Sequence, residues 1–386
     1  MSKCEARPST KLVKGGRRSE WRGRLVNPPV ERASTILFES ADELDRSRPG
    51  LGIYRYGLQG TASQWALAEA LTQLEAGAAG TALYSSGLAA ITAALMTVLS
   101  PGDELLVTDS VYGPTRRFCD TILKRFGATA RYYDPIIGGG IADLIRAETR
   151  AILLESPGSQ TMEVQDVPGI CAVARQRGVT TLIDNTWATP LLFPAIAAGV
   201  DITIIAATKY IGGHADVMIG AVSATEEYYS RIETTSWDLG HSLSPDDAWL
   251  GSRGIRTMAV RLKQHEESAL KVAHWLKTQP QVGRMLHPAF PDCPGHEFWK
   301  RHFKGSSGLF SFELKGADRA ARNAFVERLE LFGIGFSWGG YESLAIPVDP
   351  TRTASKPPAE NLVRLHIGLE DSDDLIEDLD AALREA

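Results

Sequence analysis

Cysteine is scarce in this chain of 386 residues: Cys4, Cys119, Cys171 and Cys293 stand far apart and form no C-x-x-C pair. That argues against a disulfide framework and against a zinc site, and the thiols read as reduced, as in a cytoplasmic protein. No apolar run approaches the roughly 20 residues that would span a bilayer. Positive charge is not in excess either: the net charge is -6, which argues against nucleic acid as the main partner. There is no GxxxxGK[ST] loop, and Gly138-Gly139-Gly140 is not followed by a helix in the GxGxxG manner, so it reads as a turn. His214, His241 and His265 lack metal-ligand spacing, so no metal is expected. Internal repeats and low-complexity segments are absent as well.

What is present fits two domains in one compact unit. The length exceeds that of a usual single domain, and 44% hydrophobic residues suffice for a sizeable core. The first 24 residues are basic, with Lys11, Lys14, Arg17, Arg18, Arg22 and Arg24. They read as an extended arm on a neighbouring subunit. A transit peptide is Arg-rich in the same way, but Glu5 and Glu20 count against it. Residues 25–60 carry many breakers (Pro28-Pro29, Pro49-Gly50, Gly52, Gly57, Gly60), and an ordered coil this long is usually functional. The arm is therefore set at 1–60.

Ser63 reads as the cap of a helix with Leu67, Leu71 and Leu74 at helical spacing, stopped by Gly77. Strands and helices then alternate. Strands are expected at 104–107, 128–133, 152–154, 180–183, 202–206 and 218–223, and helices at 88–99, 114–126, 167–176 and 194–198. Such alternation implies a mostly parallel α/β sheet covered on both faces, in a domain at 61–253. From 254 to 386 the pattern changes to a long helix at 255–278, strands at 309–314, 334–337 and 363–367, and helices at 320–331 and 374–384. That describes a smaller α+β C-terminal domain.

Two apolar runs end abruptly in one ionisable residue each: Leu182-Ile183-Asp184 and Ile204-Ile205-Ala206-Ala207-Thr208-Lys209. Strand C-terminal ends line the ligand crevice of an open parallel sheet. A Lys and an Asp delivered there suit pyridoxal phosphate, the amine forming a Schiff base and the carboxylate holding the pyridine nitrogen protonated. The same residues also read as a solvated charge and a helix cap. Ser85-Ser86-Gly87-Leu88 opens an apolar helix and forms an anion site suited to phosphate, or an ordinary serine cap. Thr208 adds a hydroxyl beside it. Tyr112, just past a strand, is placed to stack on a flat ring or to fill the rim. Arg364, on the apolar run Leu362–Ile367, matches a carboxylate in bidentate fashion or forms a structural ion pair.

Tyr56-Gly57…Gly60-Thr61, Glu155-Ser156-Pro157-Gly158, Asp184-Asn185-Thr186-Trp187, Ala207-Thr208-Lys209-Tyr210, Ser252-Arg253-Gly254 and Arg364–Glu370 occur in order from about residue 50 to the C-terminus. Together they resemble the cysteine/methionine metabolism family of pyridoxal phosphate enzymes. Trp187, Gly295–Lys300 and Ser337–Ser343 are most similar to its bacterial carbon–sulfur β-lyases. The resemblance implies the fold type I, or aspartate-aminotransferase-like, architecture of pyridoxal-phosphate-dependent transferases, in a homotetramer built from dimers that share active sites. It implies that Lys209 holds the cofactor, Asp184 pairs with its ring nitrogen and Tyr112 stacks on the ring. Gly87, Leu88 and Thr208 would bind the phosphate, joined by Tyr56 of a neighbouring subunit. Arg364 and Ser337 would take the substrate α-carboxylate, with Trp338 beside them.

The reaction so implied is α,β-elimination on an L-cystathionine-like sulfur amino acid in methionine metabolism, started by Lys209 as base. γ-Elimination or replacement is the alternative within the family, and a non-catalytic relative would have lost Lys209 or Asp184. Two positions depart from the family pattern. Leu58 stands where an Arg usually follows the phosphate-binding Tyr, and Ala206 where a Ser often precedes the Lys. Arg55 is near enough to replace the first, and weaker cofactor retention is expected.

Overall fold

The computed structural model describes residues 6–385, so Cys4 and Glu5 lie outside it. The alternating region folds into strands β1 (Gly80–Tyr84), β2 (Glu104–Thr108), β3 (Thr129–Tyr133), β4 (Thr149–Glu155), β5 (Thr180–Asp184), β6 (Ile202–Ile205) and β7 (Gly220–Ala224). Their order across the sheet is β1-β7-β6-β5-β4-β2-β3. All neighbours from β6 to β3 are parallel, whereas β7 runs antiparallel to both β6 and β1. Strands β2, β6 and β7 are buried along their whole length, which is why they read as continuous apolar runs.

The helix Gly87–Val98 lies on this sheet through Ala90, Ile91, Ala93, Ala94 and Leu95, small side chains that allow a close approach. The helix Ala62–Leu74 is capped by Thr61 in a capping box with Gln64, not by Ser63. Ser63 sits inside the first turn, where its hydroxyl accepts from Glu31 N–H at 2.8 Å and donates to Pro29 C=O at 3.2 Å. Two further expectations are corrected. Residues 194–198 form turns, with a short helix at Thr189–Leu192 instead, and the triple glycine opens a 3-10 helix at Gly138–Asp143.

The chain then runs through the long helix Met258–Lys277 into a second sheet, formed by β8 (Val282–Leu286), β9 (Leu309–Leu314), β10 (Leu344–Val348) and β11 (Leu362–His366). Its order is β10-β11-β9-β8, antiparallel throughout. The strand expected at 334–337 is an irregular loop, because Ser337 adopts φ +95° and so leaves the extended region. Phe336 is 93% exposed there, so the apolar pattern reflects no burial. No helix among the described residues is long and apolar enough to cross a membrane.

Extended chain was expected for the first 24 residues, but residues 8–22 form two short helices docked on their own chain. Leu12 and Trp21 are buried, and Arg256 donates to the C=O groups of Leu12 and Gly15 at 2.7 and 2.8 Å, closing the first helix's C-terminal end. Coil follows from 25 to 60, interrupted by the helix Ala41–Arg46 and a 3-10 turn at Gly57–Gln59.

One buried carboxylate ties the two sheets together. Asp109, one residue past β2, accepts from Arg116 at 2.5 Å and from the backbone N–H groups of Thr353, Ala354 and Ser355 at 3.0, 2.8 and 2.8 Å. Asp109→Ala would leave a buried guanidinium and three amides without their acceptor. It should lower unfolding stability by about 3–5 kcal/mol, measured by urea denaturation. A loss under about 1 kcal/mol would show that the loop is held by other means.

Candidate active site

Parallel pairing brings three strand ends together. Glu155 at the end of β4 is in register with Asp184 at the end of β5, and Asp184 is in register with Ile204 of β6. Lys209 follows β6 in a tight turn in which its N–H donates to Ala206 C=O at 3.0 Å. Asp184 and Lys209, placed at neighbouring strand ends by sequence reasoning, do meet in one crevice. Thr186 links the two ends. Its N–H and hydroxyl donate to Asp184 Oδ1 at 3.0 and 2.5 Å, while the same hydroxyl accepts from Ala206 N–H at 2.8 Å.

Lys209 Nζ donates to Ser337 Oγ at 2.5 Å and stands 5.5 Å from the centre of the Trp338 ring. Burial, with the Arg364 charge adding to it and Asp184 opposing, brings the amine down to about 8. Burial lifts the Asp184 carboxyl above its ordinary value, against the Thr186 donors and the Lys209 charge. Arg364 projects from β11 beside Ser337, whose C=O accepts from it at 3.3 Å. Burial lowers this guanidinium to about 10. Tyr112 is partly exposed at the rim; burial raises its phenol, as do the charges of Glu155 and Asp184, while Arg364 and Arg117 oppose.

The expected phosphate cup is only partly free. Gly87 and Leu88 open the helix Gly87–Val98, whose first-turn amides have no helical partner. A Cβ at Gly87 would lie 2.5 Å from that of Ala206, so the helix end sits directly on the turn that carries Lys209. The Thr208 hydroxyl accepts from Ile219 N–H at 2.9 Å and donates to its C=O at 3.2 Å. Tyr56 is half exposed on the 25–60 segment, where it bridges Thr35. Arg55 donates to Ser47 within that segment, at 3.2 Å.

Sequence reasoning assigned no role to Glu155, His366 or Gly339. Glu155 accepts from Tyr112 N–H at 2.7 Å. The buried His366 ring holds its Nε2 3.1 Å from both Gly339 N and Gly340 O. Gly339, at φ +85°, packs so closely that a Cβ would lie 3.1 Å from Lys209 Cα. A signal for Glu155 was present, since the apolar run Ile152-Leu153-Leu154 ends in one ionisable residue just as β5 does. Nothing local marks His366, whose partners lie 26 and 27 residues away.

These residues fit pyridoxal phosphate. A lysine with a readily deprotonated amine, a carboxylate at the adjoining strand end, an exposed aromatic edge and a helix N-terminus match its aldehyde, ring nitrogen, ring face and phosphate. Comparison with known proteins agrees. The model of the Cys/Met metabolism PLP-dependent enzyme family matches residues 9–384. Cystathionine beta-lyase MetC of Escherichia coli is 43% identical over 384 residues, 96% of this chain and 97% of that protein. Cystathionine beta-lyase of Salmonella typhimurium is 43% identical over 383 residues, again 96% and 97%. Among solved structures, metB from Corynebacterium glutamicum superposes with a TM-score of 0.91 at 28% identity, covering 98% of each chain. The chain therefore belongs to the Cys/Met metabolism family of pyridoxal-phosphate-dependent enzymes.

Proposed function

We propose that this enzyme cleaves the Cβ–S bond of L-cystathionine, or of a related cysteine thioether, by α,β-elimination, taking up water and releasing a thiol, pyruvate and ammonia. The observation that carries this reading is the Lys209 amine, held at 2.5 Å by Ser337 between the Asp184 carboxylate and the Arg364 guanidinium. The two β-lyase relatives support it. When bound, pyridoxal phosphate supplies an aldehyde and a protonated ring that draws off the electron pair left by the α-proton.

Each residue then has a task. Lys209 would carry the cofactor and, once released from it, take the α-proton, a task for which burial favours its uncharged form over that of an ordinary lysine. Asp184 would keep the cofactor's ring nitrogen protonated, and Tyr112 would offer its aromatic face to the ring. Gly87, Leu88 and Thr208 would hold the phosphate, the last by turning its hydroxyl proton away from Ile219. Arg364 and Ser337 fix the α-carboxylate, with the Trp338 ring alongside.

The assembly belongs to the same proposal, with the boundaries 1–60, 61–253 and 254–386 for arm and domains. A homotetramer of dimers would bring Tyr56 of one copy to the site of another. Leu25, Val26 and Leu37 support this, standing 58, 69 and 89% exposed on the arm. A location in the cytoplasm accords with Cys119, Cys171 and Cys293, all free thiols.

Incubation with L-cystathionine should yield pyruvate and a free thiol in equal amounts, and Lys209→Ala should abolish both this turnover and the visible absorption of the bound cofactor. Formation of 2-oxobutyrate in place of pyruvate would instead assign γ-elimination. Arg364→Ala should raise KM by about 10–100-fold, the worth of a charge-assisted bond, with kcat changed less. An unaltered KM would remove Arg364 from carboxylate binding. In protein stripped of cofactor, only the neutral Lys209 amine attacks an aldehyde. Reconstitution followed at the visible band should therefore quicken about tenfold per pH unit below about 8 and level off above it. A rate still rising at pH 10 would show an ordinary lysine.

A further inference from the structure

Glu155 is a buried carboxylate to which the chemistry above gives no task, although it lies closer to Asp184 along the sheet than any other ionisable residue at a strand end. The two are register partners on adjacent parallel strands, so their Cα atoms are about 5 Å apart and their side chains leave the sheet on the same face. Glu155 is 8% exposed. Its Oε2 accepts from Tyr112 N–H at 2.7 Å, and the Ser159 hydroxyl reaches the same carboxyl group. Its own C=O accepts from Gln165 Nε2 at 2.9 Å, and Gln165 in turn accepts from Tyr133 OH at 2.9 Å, so the strand end is fixed.

Two neighbouring carboxyl groups withdrawn from water hold one proton between them. The surroundings decide which group keeps it. Asp184 has two donors from Thr186 and the Lys209 charge. Glu155 has one backbone amide and one hydroxyl, and the guanidinium that acts on it, Arg352, is already paired with Glu163 at 2.7 Å. Burial pushes Glu155 well above the ordinary carboxylate range and the Asp184 charge pushes it further, with Tyr112 N–H, Arg352 and Ser159 opposing.

We propose that Glu155 is a positioning residue that works as an uncharged carboxylic acid: it holds the backbone from which the Tyr112 ring projects and leaves Asp184 as the only charged carboxylate facing the cofactor ring. A second negative charge at the adjoining strand end would spread the field that Asp184 directs at the ring nitrogen. An apolar residue would leave the Tyr112 amide without an acceptor. A neutral acid avoids both. The proposal rests on the pyridoxal phosphate reading of the site.

The test uses Glu155→Gln, which keeps the shape and is neutral at every pH, beside Glu155→Ala. In the cofactor-loaded enzyme, the pH midpoint of the visible band should stay within about 0.3 unit of wild type in Glu155→Gln, because no charge is lost. Affinity of the stripped protein for pyridoxal phosphate, read by fluorescence, should be unchanged in Glu155→Gln and about tenfold weaker in Glu155→Ala, the worth of one hydrogen bond. A midpoint lowered by a unit or more in Glu155→Gln would reveal a real negative charge in the wild type and overturn the proposal. Full cofactor affinity in Glu155→Ala would overturn the positioning role. Absence of any visible band in the loaded wild-type protein would instead sink the reading of the site itself.

Discussion

Everything at this site depends on opposite charges taken out of water at the ends of adjoining parallel strands. An isolated buried lysine sheds its proton, and an isolated buried aspartate keeps one. Lys209 and Asp184 each moderate that tendency in the other, leaving the amine near 8. The pairing of β5 with β6 sets their spacing, and the Thr186 hydroxyl, donating to Asp184 and accepting from Ala206, locks the two strand ends to each other. A slip of one residue in either strand would turn one charge toward the opposite face of the sheet. Full burial of β6 makes such a slip costly, so the hydrophobic core fixes the chemistry as well as the fold.

A second constraint comes from the loop at 337–340. Ser337 adopts φ +95°, a conformation that costs a side-chain-bearing residue on the order of 1–3 kcal/mol. Its surroundings over-determine it. Trp338 packs 5.3 Å from Tyr210, whose OH accepts from Gly308 N–H at 3.0 Å, and Gly339 rests against the Lys209 backbone. His366 anchors the loop from below. Burial lowers that ring to about 3, which keeps it neutral, so one nitrogen serves as acceptor for Gly339 N–H or as donor to Gly340 C=O, according to tautomer. The outcome of this strain is the position of one hydroxyl, 2.5 Å from Lys209 Nζ.

How much of this was legible in the sequence follows from the range of each interaction. Strand β5 and the turn at Lys209 are encoded by short apolar runs with a charge at the end, so Asp184 and Lys209 were readable, and the parallel sheet followed from the alternation. Strands β1, β8 and β10 escaped notice, since β1 is a five-residue run that opens on Gly80, β8 is interrupted by Gly283 and Arg284, and β10 contains Pro347. Ser337 was named for the right neighbourhood but on a supposed strand. Its backbone is set by His366 and Gly339, which only the fold brings together. Thr61 outcompeted Ser63 as a cap because the arm claims the Ser63 hydroxyl, a contact spanning over 30 residues.

The two departures from the family pattern concern how an anion would be held. At position 206 the methyl group of Ala206 faces Gly87 so closely that Gly87 has no space for a side chain, and the close approach brings the helix N-terminus onto the Lys209 turn. A Ser there would offer one hydroxyl; with Ala, what this side of the site offers an anion is the N-terminus of a twelve-residue helix. Thr208, meanwhile, reaches an anion only by turning its hydroxyl proton away from Ile219, which leaves it as the one side-chain donor assigned to the phosphate, since Arg55 is tied to Ser47. On the proposed reading, then, phosphate binding shifts away from side-chain donors and guanidinium charge toward backbone amides. Amides fixed in a helix lose little entropy when they bind, but they carry only partial charge. Retention of the cofactor would accordingly depend more heavily on the Lys209 bond, and less on the phosphate, than in a relative with Arg at 58 and Ser at 206.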